Sequence, residues 1–349
     1  MREPDGSEIT STGSIAGEDG AAGYVADVVQ ARHRIVLVGH RVVHGGTSLR
    51  ESTRIDDDVV ETIHRLGSLA PLHNPPALAA IRATRHRLPG VPQVAAFDTA
   101  FFAELPPAAF VYPLPYEWYA EWGIRRFGFH GLSHAYAARQ ATGLLPRSSP
   151  KLRLVSCHLG SGCSATAIRD GRPVQTTMGF TPLEGLMMGT RAGSIDPGIL
   201  LHVQREHGVG LDELDRALNQ QSGLRGISGF TARISEIEAA AAQGHERARL
   251  AFTMFTDRVK CTIGGLAALM GGVDAVIFTA RIGETMPGVR AAICQGLQCL
   301  GLHLDPDRNA SLAEDGDIAR EESPARVLVI RTQEELMIAQ EARRVAGPP

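Results

Sequence analysis

Four segments place an arginine, an aspartate or a histidine beside glycines or at the end of an apolar run. They are Arg41 in GHRVVHGG, Asp98 in FDTAFF, His130 in FGFHGLSH and Arg191 in MGFTPLEGLMMGTRAGSIDPG. An arginine beside glycines can bind a carboxylate through two parallel N–H donors. An arginine in a long loop can stabilise a transferring phosphoryl group, with a surface ion pair as the alternative. Several such residues at strand ends favour chemistry on small anions.

Two glycine-containing segments follow apolar runs and are candidates for binding phosphate. In HLGSG, residues 158–162, two glycines allow backbone N–H groups to approach an anion closely. ARIGE, residues 280–284, is predicted to be a glycine loop that leads from a strand into a helix N-terminus. An ordinary hairpin and an ordinary strand-to-helix turn remain the alternatives. HLGSG lacks the Walker A pattern, so a P-loop is not predicted.

The histidines and cysteines do not form a recognisable metal-binding pattern. His130 and His134 have the spacing of two zinc ligands, but HGLSH lacks the glutamate of H-E-x-x-H, so zinc is not favoured. The cysteines are odd in number and include no C-x-x-C pair, which argues against a disulfide framework. We expect all five to be buried: Cys157, Cys163, Cys261, Cys294 and Cys299.

Length and composition restrict the class of protein. At 349 residues the chain exceeds the size of a single hydrophobic core, so two lobes are expected. The net charge of -3 and the absence of basic runs argue against nucleic acid or an anionic membrane as a partner. No apolar stretch could span a bilayer, and residues 1–24 are too polar for a signal peptide. We therefore expect a cytoplasmic protein with small polar ligands.

The first half of the sequence alternates between strand and helix patterns. An apolar run from Ile35 predicts a buried strand, and a helix is predicted over residues 56–66. A second helix begins near Asn74, which we expect to act as its cap, with prolines in the first turn. The segment 91–98 then predicts another strand. This alternation indicates an α/β fold with a mostly parallel sheet.

The second half begins after a linker rich in serine and proline, which we take as the domain boundary. LVSCHL and CSATAI predict paired strands, and Asp170-Gly171 predicts a hairpin turn to a third strand. Helical periodicity extends over residues 234–272, and the sequence ends with a strand leading directly into a helix.

Seven short sequence motifs occur together in an order and spacing that resemble the acetate kinase family. They are GHRVVHGG, LHNPPAL, FDTAF, RRFGFHGLSH, HLGSG, MGFTPLEGLMMGTR and TQEELMIA. The resemblance implies an α/β fold with two lobes of duplicated actin-like, ribonuclease H-like topology and a cleft between them. It assigns residues 1–150 to an acyl-substrate lobe and 151–330 to a nucleotide-binding lobe. Residues 331–349 would form a C-terminal helix that returns to the first lobe.

The resemblance also implies roles for individual residues. Arg41 would hold the substrate carboxylate, and Asp98 would be essential, which we interpret as orienting the metal or an arginine. His130 and Arg191 would stabilise the transition state, and Glu334 would bind magnesium. The acyl pocket would be formed by Val43, Leu72, Phe129 and Pro182. The nucleotide contacts would be His158, Leu159, Gly160, Ser161, Gly162, Arg281, Ile282, Gly283, Glu284 and Thr285.

The implied reaction is Mg²⁺-dependent phosphoryl transfer from ATP to acetate, giving acetyl phosphate and ADP, in a homodimeric enzyme. Acetate is ionised at neutral pH, since carboxyl pKa values lie near about 4, so the nucleophile needs no strong base. Alignment and charge neutralisation must then supply the catalysis. A propionate or butyrate kinase and a non-catalytic relic with a defective nucleotide site remain alternatives, and a metal hydrolase is a more distant one.

The sequence departs from the family pattern mainly in segments expected to contact ATP. Arg281 occupies a glycine position, and Arg233 lies at or near an aspartate position. Ser194 replaces another aspartate, and Ser161 replaces a common asparagine. The acyl-binding residues match the family, whereas the nucleotide contacts are altered.

The start of the sequence also differs from the family pattern. Family members open with an apolar strand, an asparagine and a Gly-Ser-Ser-Ser loop, none of which precedes REPDGSEITSTGS here. We therefore expect the first lobe to lack its first strand, either through truncation or through a misplaced start. Loss of a central strand would expose apolar surface and unpaired backbone groups.

Overall fold

The computed structural model describes residues 34–145 and 152–347. The chain divides into two compact units, the first formed by Met1–Ala100 with Ile338–Pro349 and the second by Phe101–Met337. The expected lack of a first strand concerns the start of the chain, and residues 1–33 lie outside the described ranges. Most of the serine- and proline-rich linker, residues 146–151, also lies outside them. The functional lobe limits drawn from the family resemblance remain a prediction.

Among the residues that the structure describes, the first unit contains a three-stranded sheet, two complete helices and the larger part of the C-terminal helix. In order along the sheet, β1 (Val38–Val42) pairs in parallel with β3 (Gln93–Phe97), which pairs antiparallel with β2 (Thr53–Arg54). Helices α1 (Asp57–Arg65) and α2 (Asn74–Arg87) lie between β2 and β3 in the chain. All five residues of β3 are buried, as expected for the central strand of a sheet.

A side-chain cap marks the start of α1, and prolines mark the start of α2. Asp56 caps α1 by accepting a hydrogen bond from the Val59 N–H group at 2.8 Å. Prolines occupy the first turn of α2 as predicted, but the cap is His73. The capping prediction for Asn74 is wrong because its side chain bonds the backbone of His44, accepting from N–H at 3.1 Å and donating to C=O at 3.0 Å. Asn74 therefore fixes the segment that follows β1.

The second unit contains a six-stranded mixed sheet in the order β6-β5-β4-β7-β9-β8. Its central strands β4, β7 and β9 are parallel, and the remaining strands pair antiparallel. The strands are β4 (Arg153–Leu159), β5 (Cys163–Arg169), β6 (Arg172–Thr176), β7 (Ala275–Thr279), β8 (Gly316–Asp317) and β9 (Arg326–Val329). The predicted hairpin is confirmed, since Asp170 and Gly171 have φ angles of 54° and 77°.

Helices cover this sheet and carry the connections between its strands. They are α3 (Pro107–Phe110), α4 (Tyr116–Ala120), α5 (Gly131–Leu144), α6 (Pro197–His207), α7 (Leu211–Gln220), α8 (Gly223–Ser228), α9 (Ile234–Ala242), α10 (Glu246–Met270), α11 (Ala280–Thr285), α12 (Pro287–Cys294) and α13 (Pro306–Ser311). The last helix, α14 (Glu334–Ala346), places Ile338 against Gly39 of β1, where a side chain at Gly39 would overlap it.

Two further predictions about local structure are wrong. The ARIGE segment forms no glycine loop, because α11 begins directly after β7 and the chain turns through a left-handed backbone at Ala280, with φ of 60°. Cys261 and Cys299 are exposed, while the other three cysteines are buried as expected. In the described part of the chain, no helix combines the length and apolar character required to cross a membrane.

Candidate active site

Arg41 and Asp98 form a bidentate ion pair in the first unit. The Arg41 Nε and Nη2 atoms donate to the two Asp98 carboxylate oxygens at 3.0 and 2.7 Å. The parallel pairing of β1 with β3 brings these residues together, since Asp98 directly follows β3 and donates its N–H to the Val42 carbonyl. The Asp98 side chain is 1% exposed and that of Arg41 is 39% exposed. The buried carboxylate thus fixes the plane of a partly exposed guanidinium.

The four residues predicted to form an acyl pocket are divided between the two units. Val43, half-buried, and Leu72, 61% exposed, belong to the first unit. Phe129, 1% exposed, and Pro182, half-buried, belong to the second. Asn74 holds the backbone of His44 next to Val43. A common pocket for these four residues remains a prediction.

His130 occupies a strained position immediately before α5. Its φ and ψ angles of 59° and 29° lie in the left-handed region, which costs a bulky residue on the order of 1–3 kcal/mol. The imidazole stacks on that of His158, with ring centroids 4.0 Å apart and planes inclined by 15°. His130 Nδ1 also lies 2.9 Å from the Ser164 hydroxyl oxygen. Strain at a residue held so firmly is typical of a functional site.

Gly162 of the HLGSG turn lies between His130 and Arg191. A Cβ atom added at Gly162 would overlap Arg191 Nη2 and would press on the Cε1 and Nε2 atoms of His130. Arg191 is further held by a hydrogen bond from Nη1 to the Pro182 carbonyl at 2.6 Å. Burial lowers the pKa of the Arg191 guanidinium, but arginine stays charged at neutral pH. The second unit therefore brings two predicted catalytic residues together at the predicted phosphate turn.

The loop that carries Arg191 is anchored by residues to which the sequence assigned no role. Glu184 accepts hydrogen bonds from Arg126 Nη2 at 2.8 Å and from the Tyr112 hydroxyl. Tyr112 in turn accepts the Phe180 N–H at 2.9 Å, and burial raises the pKa of its hydroxyl. Arg126 and Glu184 lie within motifs of the family resemblance, which was the available signal for them.

A buried arginine fixes the backbone of α11. Arg290 is 2% exposed and donates through Nη1 to the carbonyls of Gly283 and Glu284, each at 2.8 Å. Its Nε and Nη2 atoms donate to the side chain and the carbonyl of Asn309. No local sequence pattern indicates a role for Arg290, because only the fold brings this arginine of α12 under the preceding turn.

Glu284 links α11 to the segment before α14. Its Oε1 atom accepts the Thr332 N–H at 2.8 Å, and burial raises the pKa of its carboxyl. The Thr332 hydroxyl lies 3.4 Å from that of Ser133, which in turn lies 2.8 Å from His158 Nδ1. Glu334 begins α14 two residues after Thr332.

The positions that depart from the family pattern are largely at the surface of the second unit. Arg281 is exposed in the first turn of α11, and Ser161 is exposed at the tip of the HLGSG turn. Arg233 is paired with Glu236. Ser194 bonds Gly185 through its backbone and its hydroxyl, at 2.9 and 3.1 Å.

Comparison with known proteins identifies the family. A family model described as the Acetokinase family matches residues 22–340. The chain belongs to the acetokinase family. The acetate kinase of Cyanothece sp. is 52% identical over 314 residues, covering 90% of this chain and 77% of that protein. The acetate kinase of Gloeobacter violaceus is 51% identical over 315 residues, covering 90% and 78%.

Solved structures of acetokinases have the same fold. A propionate kinase from Francisella tularensis superposes with a TM-score of 0.88 at 39% identity, covering 94% of this chain and 84% of that one. The acetate kinase of Porphyromonas gingivalis gives a TM-score of 0.88 at 36% identity, covering 99% and 89%. The family and the α/β acetokinase fold inferred from the sequence motifs are therefore confirmed.

We expect Gly162→Ala to lower kcat for phosphoryl transfer by about 100-fold, because the methyl group would displace the Arg191 guanidinium and the His130 ring. A steady-state assay with ATP and acetate measures the effect. Gly143→Ala in α5 is the matched control, since no atom lies within 4 Å of the added methyl group. An unchanged kcat in Gly162→Ala would show that this turn plays no part in positioning those side chains.

Proposed function

We propose that this acetokinase transfers the terminal phosphoryl group of ATP to the carboxylate of acetate, giving acetyl phosphate and ADP reversibly. The observation that carries the proposal is the meeting of His130 and Arg191 at Gly162, where a glycine turn lies beside two side chains of types that can bind phosphate. Identity of about half of the residues with curated acetate kinases supports it. Cytoplasmic ATP and ADP are the co-substrates in this proposal.

In the proposed mechanism Arg41 binds the acetate carboxylate, and Asp98 holds the guanidinium in place. The bidentate ion pair occupies both Asp98 oxygens with N–H donors of Arg41. Acetate arrives ionised and needs no general base. Asp98 therefore acts by orienting Arg41, and alignment of the acetate oxygen supplies much of the rate enhancement.

His130 and Arg191 are proposed to stabilise the phosphoryl group during transfer. Both are held rigidly, His130 by stacking and a hydrogen bond and Arg191 by the Pro182 carbonyl. Donors that are fixed before the reaction need no reorganisation as charge develops on the equatorial oxygens. The glycines of HLGSG and the segment from Arg281 to Thr285 are proposed to contact ATP.

Magnesium is proposed as the metal, bound mainly by the phosphate oxygens of ATP with Glu334 as the protein ligand. No cluster of three metal-binding side chains occurs among residues 34–145 and 152–347. Mg²⁺ commonly binds through substrate phosphates and one or two carboxylates, and Glu334 in the first turn of α14 would supply one carboxylate. When bound, the ion would neutralise charge on the phosphate oxygens. The hydrogen bond between Glu284 and the Thr332 N–H steadies the segment that leads to Glu334.

A homodimer is proposed, with helices α6 and α7 as its contact surface. Neither helix has a buried residue, and together they expose Ile199, Leu201 and Leu211 by 49%, 52% and 76%. Helices in globular proteins normally bury an apolar stripe, so these exposed apolar side chains on two successive helices fit an interface with a second copy.

Light scattering of the purified chain should give twice the monomer mass of 37.3 kDa. The double substitution Ile199→Asp and Leu201→Asp should give the monomer mass, because it places charge in the apolar contact. Leu114→Asp, at a 48% exposed leucine outside these helices, is the control and should remain dimeric. A dimer that survives the double substitution would place the interface elsewhere.

Purified protein should form acetyl phosphate from ATP, Mg²⁺ and acetate, detected as the hydroxamate after trapping with hydroxylamine. Propionate and butyrate, tested in parallel, should show lower kcat/KM, by about 10- to 200-fold for each added methylene group. A higher kcat/KM for propionate would make this a propionate kinase. Absence of product together with no heat of ATP binding in calorimetry would favour the non-catalytic relic.

Arg41→Lys should raise the KM for acetate by roughly 10- to 100-fold and leave the KM for ATP unchanged. Lysine loses the two-pronged contact, and a hydrogen bond to a charged group contributes about 1.5–3 kcal/mol. Steady-state kinetics with each substrate varied in turn measures both constants. Arg54→Lys, at an exposed arginine of the same sheet, is the control. Equal rises in both KM values would contradict a specific role in binding acetate.

A further inference from the structure

A chain of buried hydroxyl groups and imidazoles leads to His130 from the interior of the second unit. Ser156 Oγ of β4 lies 2.9 Å from His134 Nδ1, and His134 Nε2 lies 2.7 Å from Ser164 Oγ of β5. Ser164 Oγ then lies 2.9 Å from His130 Nδ1. Ser156, His134 and Ser164 are fully buried, so water cannot supply alternative partners.

His134 holds a single ring proton at neutral pH. Burial, and secondarily the neighbouring His158, lower its pKa well below the ordinary value of 6.5. One ring nitrogen is therefore a donor and the other an acceptor. Which nitrogen carries the proton is decided by the two serines that flank the ring.

The hydroxyl of Ser156 fixes the direction of the chain. In the described part of the protein, the only hydrogen-bond partner of this hydroxyl is His134 Nδ1, so Nδ1 is the single acceptor for its proton. Ser156 then donates to Nδ1, which places the His134 proton on Nε2, where it is donated to Ser164. The Ser164 hydroxyl proton is left to donate to His130 Nδ1. The reverse direction would leave the buried Ser156 proton without an acceptor, which is costly.

We propose that Ser156, His134 and Ser164 are positioning residues that hold His130 in the tautomer with its proton on Nε2. This inference rests on the proposed function, because the Nε2 edge is the part of the ring beside Gly162 and Arg191. A proton on Nε2 makes His130 a donor toward phosphoryl oxygens. The opposite neutral tautomer would present a lone pair to those oxygens and repel them.

Two further side chains lie beside the His130 ring. His158 stacks on the imidazole face, and the charged Arg191 lies beside the same glycine as the Nε2 edge. His134 and Ser164 lie on the Nδ1 side. The Nδ1 atom therefore meets the buried serine and histidine chain, while the Nε2 edge lies at Gly162.

Tautomers can be read directly from long-range ¹H–¹⁵N NMR spectra of the full chain labelled with ¹⁵N-histidine. The spectra distinguish protonated from unprotonated ring nitrogens, and signals are assigned by their loss in His130→Asn and His134→Gln. We expect the neutral Nε2–H form for both His130 and His134. An Nδ1–H form at either residue would overturn the proposal, whether or not the protein transfers phosphate.

Ser164→Ala should remove the preference of His130 for the Nε2–H tautomer and lower kcat by about 10- to 100-fold. This loss is smaller than the roughly 10²–10³-fold loss in kcat that is typical when a hydrogen-bond donor to the transition state is itself removed. KM values should stay within about 2-fold, since ground-state binding is unaffected. Thr166→Val is the control, because it removes another buried hydroxyl of β5 that bonds Thr176 instead. An equal loss in the control, or an unchanged His130 tautomer in Ser164→Ala, would contradict the proposal.

His134→Gln provides a test that does not depend on tolerance of Ser164→Ala. A glutamine amide can accept from Ser156 and donate to Ser164, so it should retain kcat within about 10-fold. A leucine side chain can neither accept nor donate, so His134→Leu should lower kcat by as much as Ser164→Ala does. If His134→Gln lowered kcat as much as His134→Leu while the protein stayed folded, His134 would act through its own titration. The proposed role of His134 as a positioning residue would then be wrong.

Discussion

The stacking of His130 on His158 is the contact around which the second unit's candidate site is organised. His158 belongs to the end of β4 and leads into the glycine turn, whereas His130 precedes α5 in a left-handed backbone conformation. The ring contact at 4.0 Å thus joins a strand end, a helix start and the turn beside Arg191. The strain at His130 persists because stacking and the Ser164 hydrogen bond both require the ring in this position.

The irregular segments that carry predicted site residues in each unit are held by partly or fully buried polar side chains as well as by apolar packing. Glu184 joins Arg126 to Tyr112 beneath the Arg191 loop, and Asn74 plays the corresponding part for the segment after β1 in the first unit. Satisfied buried hydrogen bonds specify one geometry, because each donor and acceptor has a single low-energy arrangement. Irregular segments can in this way be as rigid as the strands that precede them, which suits groups that must bind phosphate without reorganising.

Local sequence patterns predicted the secondary structure well where a local cause decides it. The Asp170-Gly171 turn and the helix predicted over residues 56–66 depend on residues within a few positions of each other. The motifs also predicted the family. The failures have different causes: Asn74 bonds a residue 30 positions away, whereas ARIGE is helical because Ala280 takes the turn that a glycine loop was expected to provide. The chain of serine and histidine side chains also could not be predicted from local patterns, since Ser156 and His134 meet only across the folded core.

Arg290 illustrates how the fold protects one turn from its surroundings. Among the described residues its guanidinium bonds three carbonyl oxygens and one amide oxygen, with no carboxylate partner. Carbonyl and amide oxygens do not titrate in water, and buried dipoles are screened little by dissolved ions. The backbone after β7 is therefore pinned by an interaction that is indifferent to acidity and to ionic strength. Acidification that protonates carboxylates elsewhere in the protein would leave the four hydrogen bonds of Arg290 in place.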